Sequence, residues 1–254
     1  MNLFADLTNL DVATIAAIFL LGGLVKGALG FGLPLVTMSI LPLIVSVEFA
    51  LAINALVLPF TNVKQFFGAA CMRETVWRFR YVLGGIVVGV PIGAVLVSII
   101  TDQVLMLSLG ISIICFVVLT IASPELKVPR RHDNEIAGAV GLLGGIVGAL
   151  TTANGPIFLM HLVAMKVERT MFISALGLLF IVSGVLISGA FWLAGLMDAA
   201  RVAVAAISLP AALAGMSAGD VVGQHIPAEI FRRIVIGVLC LLALNLILRG
   251  LAGS

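Results

Sequence analysis

The sequence predicts an all-α polytopic membrane protein made of two inverted repeats, each a broken-helix hairpin followed by three spanning helices. Three observations carry this reading. Hydrophobic residues make up 62% of the 254 and charged residues only 10%, with a mean hydropathy of +1.27, whereas a water-soluble domain is about a quarter charged. Apolar runs long enough to cross a ~30 Å hydrocarbon core recur from end to end, without the period-two alternation of a membrane barrel. Two of those runs are interrupted, and residues in the two halves agree at a nearly constant offset of 119 to 122.

The elements follow in order. The opening Met1-Asn2-Leu3-Phe4-Ala5-Asp6 has no basic region and leads into no small-residue cleavage pattern, so no cleaved signal peptide is expected and the first helix stays. Residues 12–46 are too many for one helix and contain Gly27-Ala28-Leu29-Gly30-Phe31-Gly32-Leu33-Pro34. Apolar helical sequence stops at the glycines and restarts at Pro34, which the first helical turn tolerates because its missing N–H has no intrahelical partner there. Spanning helices are expected at 48–67, 81–100 and 103–122, ending a first repeat of residues 1–123. A cytoplasmic linker, 124–135, leads to the second repeat, 136–254, with a hairpin at 136–165 and helices at 171–194, 200–218 and 230–249. The second interruption reads Gly148-Ala149-Leu150-Thr151-Thr152-Ala153-Asn154-Gly155-Pro156. The segment after each interruption holds some 12 to 15 residues, or roughly 20 Å of helix, too short to cross. Each is therefore expected to re-enter and return.

The duplication rests on matched residues. Gly27-Ala28-Leu29 falls on Gly148-Ala149-Leu150, Pro34 on Pro156, Val47-Glu48 on Val167-Glu168, Ala55-Leu56 on Ala175-Leu176, and Pro91 on Pro210. Charge sets the orientation, because cytoplasmic loops collect Lys and Arg. If each hairpin returns to its own side, Lys64, Arg73, Arg78, Arg80, Lys127, Arg130, Arg131, Lys166, Arg169, Arg232 and Arg233 share one face and only Arg201 and Arg249 lie opposite. Single crossings would instead divide the cations nine against four. The hairpin reading puts both termini outside the cytoplasm and brings the two tips in from opposite leaflets. In transporters of that design, interrupted helices in corresponding positions mark a substrate site near the midplane.

With these motifs in place, the chain resembles the TauE/SafE family of sulfite and organosulfonate exporters, also called the toluene sulfonate uptake permease family. The resemblance covers nearly the full length. It rests on Gly27-Ala28-Leu29-Gly30-Phe31-Gly32, on Gly144-Gly145-Ile146-Val147-Gly148, and on Pro227-Ala228-Glu229-Ile230-Phe231-Arg232-Arg233 leading into an apolar helix. It implies a bacterial inner-membrane permease for small sulfur-containing anions such as sulfite, thiosulfate or an organosulfonate.

Candidate site residues come from polarity in apolar surroundings. Lys26 lies four residues before the first tip, where a charge costs about 2.5 to 3.5 kcal/mol at the bilayer centre on insertion scales. It pairs with an anionic substrate, or snorkels to the cytoplasmic face if its helix crosses fully; its repeat equivalent is Val147. Gly30, Phe31 and Gly32 form the first tip, and Thr151, Thr152, Asn154 and Gly155 the second. Asn154 or Thr152 is expected to cap the restarting helix, whose N–H groups and positive dipole end suit an anion. Alternatively, these polar groups only satisfy the broken backbone, or carbonyls ending the preceding segment attract a cation. Asn54, Thr61, Asn62 and Gln65 share one helix face. They line a pathway or bond between helices, and Ser174 is the polar repeat equivalent of Asn54. His161, inside the second hairpin, relays a proton or sits neutral and hydrogen-bonded. Glu48 and Glu168 are expected to start helices at the interface, Asp102, Asp198 and Asp220 to mark helix ends in water, and Gly177, Ile181, Gly184 and Ser188 to pack closely against a neighbour.

Other functions are disfavoured. Cys71, Cys115 and Cys240 lack ligand spacing, so neither metal nor disulfide is expected. No cofactor is indicated, and no basic run is interleaved with aromatics for nucleic acid. Nor is there a catalytic motif, so an enzyme using His161 and a carboxylate is the remote alternative to a carrier. The expected partners are a small anionic solute and the lipid bilayer. A carboxylate or cation remains the alternative solute, and a homo-oligomer stays open because lipid-facing and subunit-facing surfaces are both apolar.

Overall fold

The computed structural model describes residues 8–69, 71–122, 133–225 and 228–252. Every regular element among the described residues is helical. Helix α1 (Asn9–Leu29) starts at a capping box in which Thr8 Oγ1 accepts from the Asp11 N–H and Asp11 accepts from the Thr8 N–H. It stops at Gly30, whose φ of 83° lies in the left-handed region that glycine enters without steric cost. Gly32, at φ 104°, turns the chain into α2 (Leu33–Ile40), with Pro34 in its first turn. After a 3-10 turn, Leu41–Leu43, Ser46 accepts from the Phe49 N–H and caps α3 (Val47–Phe67).

A short surface helix, α4 (Met72–Arg78), precedes α5 (Arg80–Ile99) and α6 (Asp102–Ala122). The second half opens with α7 (Asp133–Thr151), breaks at residues 152–154, and restarts as α8 (Gly155–Ala164) with Pro156 in its first turn. It continues through α9 (Arg169–Leu193), α10 (Ala199–His225) and α11 (Ala228–Ala252). Seven helices, α1, α3, α5, α7, α9, α10 and most of α11, are long and apolar enough to cross a membrane. The chain is a multi-pass membrane protein.

Four pairings carry most of the packing: α1 with α10, α5 with α7, α3 with α9, and α6 with α11. Their directions follow from which residues touch. Gly215 of α10 lies against Leu20 and Leu24 of α1, and Gly219 against Leu24 and Ala28, so these helices run parallel. Gly85 of α5 meets Gly138, Gly141 and Leu142 of α7, and Gly93 meets Ile146 and Ala149, again parallel. By contrast, Gly177 of α9 meets Gln65 and Phe66 while Gly184 meets Pro59, so α3 and α9 are antiparallel; Gly110 against Ala243 and Ile247, with Gly250 against Gln103 and Leu107, makes α6 and α11 antiparallel too. Within each interrupted stretch the two segments fold back. Gly22 faces Leu33 and Thr37, and Gly144 faces Phe158.

Several boundaries differ from expectation. Helix α10 runs to His225 rather than ending near 218, because its glycine face continues along α1 past the apolar run. Asp220 is consequently inside a helix, exposed and 3.6 Å from Lys64, rather than at a helix end. The returning segments are shorter than expected, 8 residues in α2 and 10 in α8. Helix α4 was not foreseen; its Thr75 hydroxyl donates to Ser174 Oγ at 3.0 Å and ties it to α9. The loop 124–135 falls mostly outside the described residues, as do Lys127, Arg130 and Arg131.

Candidate functional site

Lys26 is the most deeply buried cation among the described residues, 2% exposed on the last full turn of α1. It does not snorkel. Its Nζ donates to Oδ1 of Asn62 on α3 at 2.5 Å and stands 5.5 Å from the centre of the Phe180 ring of α9, within the range at which a ring face attracts a cation. Asn62 is held in turn by its amide N–H₂, which donates to the Leu58 carbonyl at 2.7 Å. No carboxylate among the described residues pairs with Lys26.

One turn further along α3, Gln65 Nε2 donates to the Gly30 carbonyl at 2.6 Å, bracing the first tip, and its Oε1 has no partner. The rest of that tip turns elsewhere. Phe31 packs edge-on against Phe116 of α6 at 5.8 Å, and Gly32 borders an apolar pocket with Val25, Leu35 and Val235. Nearer the start of α3, Asn54 accepts from the Thr37 hydroxyl at 2.6 Å and donates to the Ala50 carbonyl and Met38 Sδ, joining α2 to α3. The Thr61 hydroxyl is used up on the Val57 and Leu58 carbonyls of its own helix. The polar face of α3 is thus a single row with two jobs, bracing a hairpin at Asn54 and Gln65 and meeting a buried charge at Asn62.

At the second tip, Thr151 donates to the Val147 carbonyl at 2.7 Å and accepts from the Ala153 N–H, closing the end of α7. Thr152 donates to the Thr151 carbonyl and adopts φ 49°, a strained value for a β-branched residue. Asn154 occupies the cap position of α8 but does not cap it, contrary to expectation; nor does Thr152. Instead, Asn154 Nδ2 donates to Ser183 Oγ of α9 at 3.2 Å and to the Gly144 carbonyl at 3.3 Å, while its buried Oδ1 has no partner. The start of α8 therefore has no side-chain acceptor for its N–H groups, the condition under which a helix start attracts an anion. Gly155 lies beside the Phe180 ring edge, where an added Cβ would sit 3.3 Å from Cζ.

Phe180 thus connects the two broken helices, with Lys26 over its face and Gly155 at its edge. His161 is buried further along α8, with Phe79 edge-on at 6.4 Å and no hydrogen-bond partner on either ring nitrogen among the described residues. Ser174 lies with Thr75 rather than with the tips. Sequence reasoning missed Phe180, Thr37 and Ser183. The last two are polar residues inside apolar helices and could have been singled out on that ground; nothing local distinguishes Phe180.

Two interrupted helices inside a bundle of apolar helices long enough to span mark a polytopic membrane protein. The family model described as "Sulfite exporter TauE/SafE" matches residues 15–246, and the chain belongs to that family, whose members are transporters rather than enzymes. No curated protein matches the chain significantly, and no solved structure does.

Proposed function

We propose that the protein is a secondary transporter for a small sulfur-containing anion such as sulfite, thiosulfate or an organosulfonate, bound near the bilayer midplane between the two tips. The observation that carries this reading is Lys26, whose buried Nζ has a neutral hydrogen-bond partner and no counter-ion among the described residues. A buried charge left unpaired costs several kcal/mol, and a negative solute entering beside it removes that cost. The uncapped start of α8 adds N–H donors across the Phe180 ring. The membership in a family of sulfite exporters favours sulfur over other anions.

Helix directions support the inverted arrangement of the repeats. If both hairpins return to their own side, α1 runs with α10, α5 runs with α7, and α3 and α6 run against α9 and α11; all four agree with the observed packing. With single crossings, α3 would run with α9. Alternating access then follows by movement of one hairpin-bearing unit against the other. The setting is the bacterial inner membrane, with both termini extracytoplasmic.

Reconstituted vesicles test the proposal. Saturable flux of labelled sulfite, thiosulfate or a sulfonate is expected, and Lys26→Met should lower it at least tenfold for every anion while the protein still elutes as a folded species. Undiminished flux in that variant removes Lys26 from the site, and flux of carboxylates alone replaces the solute class. A cation-assisted variant of the reading is favoured by the unpartnered Asn154 Oδ1 and Gln65 Oε1, both acceptors; dependence of flux on sodium would support it.

A further inference from the structure

Building on the anion site proposed above, we infer that the carrier moves its anion together with one proton, held on Lys26, so that the loaded and the empty site both cross without net charge. The geometry around Nζ is the basis. Its hydrogen-bond acceptor is the neutral Oδ1 of Asn62. An amide oxygen accepts from an ammonium or from an uncharged amine, so the bond survives loss of the proton, whereas a carboxylate would hold the ammonium in place.

Among the described residues nothing else stands beside Nζ to balance a charge, and the one carboxylate of α1 itself, Asp11, is in its first turn. Helix α2 carries no titratable side chain and α9 only Arg169 at its start; on α3, Glu48 begins the helix and Lys64 is exposed at the far end. On α10, Arg201 and His225 lie near opposite ends, and Asp220, although its backbone abuts Gly27, turns its carboxylate to Lys64 at the surface. Among described side chains of α11, Arg233 and Arg249 are near the two ends and the free thiol of Cys240 lies between them. When the anion leaves, an ammonium would be stranded among Asn62, Phe180 and apolar side chains, desolvated and without a counter-ion among the described residues. Passing the proton to water on the exit side removes that charge. Lys26 takes a proton from water on the entry side, the ammonium and a monoanion cross as a neutral pair, anion and proton leave, and the free amine returns.

Arginine supplies the discriminating variant because its guanidinium stays charged in proteins. The probe is labelled methanesulfonate, a monoanion throughout the pH range used, in vesicles with the membrane potential clamped by potassium and valinomycin. In the unmodified protein, one pH unit of acid outside should drive about tenfold accumulation, the ratio set by one proton per anion, and a potential alone should drive none. Lys26→Arg should keep exchange of labelled for unlabelled methanesulfonate while net accumulation falls at least tenfold. Asp220→Asn should leave both readouts unchanged. Potential-driven or sodium-driven uptake without a pH effect overturns the inference and leaves the anion site standing. So does proton-driven net uptake by Lys26→Arg, or flux restricted to dianions such as thiosulfate. Absence of flux for every sulfur anion overturns the site and the coupling together. If Lys26→Arg does not fold, the gradient measurements on the unmodified protein decide alone.

Discussion

At the scale of single residues, the candidate site is an imbalance between what is donated and what is accepted. Asn154 spends its N–H₂ on Ser183 and Gly144 and leaves Oδ1 buried and free, and a buried polar atom without a partner costs about 1 to 3 kcal/mol. A bound solute or a water could complete that bond. Replacing Asn154 by Leu is expected to lower anion flux at least tenfold while membrane expression is intact, measured by vesicle uptake beside a size-exclusion profile. Wild-type flux would restrict Asn154 to bracing α8 against α9. Lys26 was legible in the sequence because a charge in an apolar run has few explanations. Its partners were not: Asn62 was visible only as one of four polar residues on a helix face, and Phe180 is one Phe among 14. Which ring lies under the ammonium depends on how α1, α3 and α9 cross, and local sequence carries no such information.

At the scale of elements, each broken helix has a parallel companion that it meets through glycine. Gly23 and Gly27 of α1 approach the backbone at Ala212 and Met216 of α10, while Gly89 of α5 approaches Leu142 of α7. In lipid, apolar surface gains little by leaving its surroundings, so close van der Waals approach and interhelical hydrogen bonds carry more of the association. A side chain at Gly89 has the Leu142 carbonyl directly in its path. Overpacking of that kind costs about 1 to 3 kcal/mol. Gly89→Leu should therefore lower the detergent melting temperature by several degrees, whereas Gly84→Leu, which meets open space, should leave it within a degree. Equal melting temperatures would mean that α5 and α7 separate freely. The helical hairpins were readable because glycine and proline punctuate apolar runs. Helix α4 was not, since seven residues of mixed polarity show no sustained period. The end of α10 was set too early because the apolar run stops before the helix does.

At the scale of the whole molecule, the helix directions sort the charges. Lys64 and Asp220 pair at the end of the bundle where α4 joins α9 through Thr75 and Ser174. The same end carries Arg73 and Arg78 of α4, Arg80 at the start of α5, Lys166 before α9 and Arg169 at its start. The opposite end holds Arg201, paired with Asp198 and lying 5.5 Å from the Phe49 ring at the start of α3. Because α10 starts there and α1 runs parallel to it, Thr8 is at that end too; α11 arrives beside the start of α6, bringing Arg249 with it. Excess Lys and Arg mark the cytoplasmic side, so residues 8 and 252 should both face outward. In a background without Cys71, Cys115 and Cys240, Thr8→Cys and Ala252→Cys should react with a membrane-impermeant maleimide in intact cells. Arg73→Cys and Lys166→Cys should react only after permeabilisation. The reverse pattern would invert the molecule while keeping its internal arrangement. A split, with residue 8 on one side and 252 on the other, would mean that the number of crossings is odd, which two hairpins that each return to their own side do not allow.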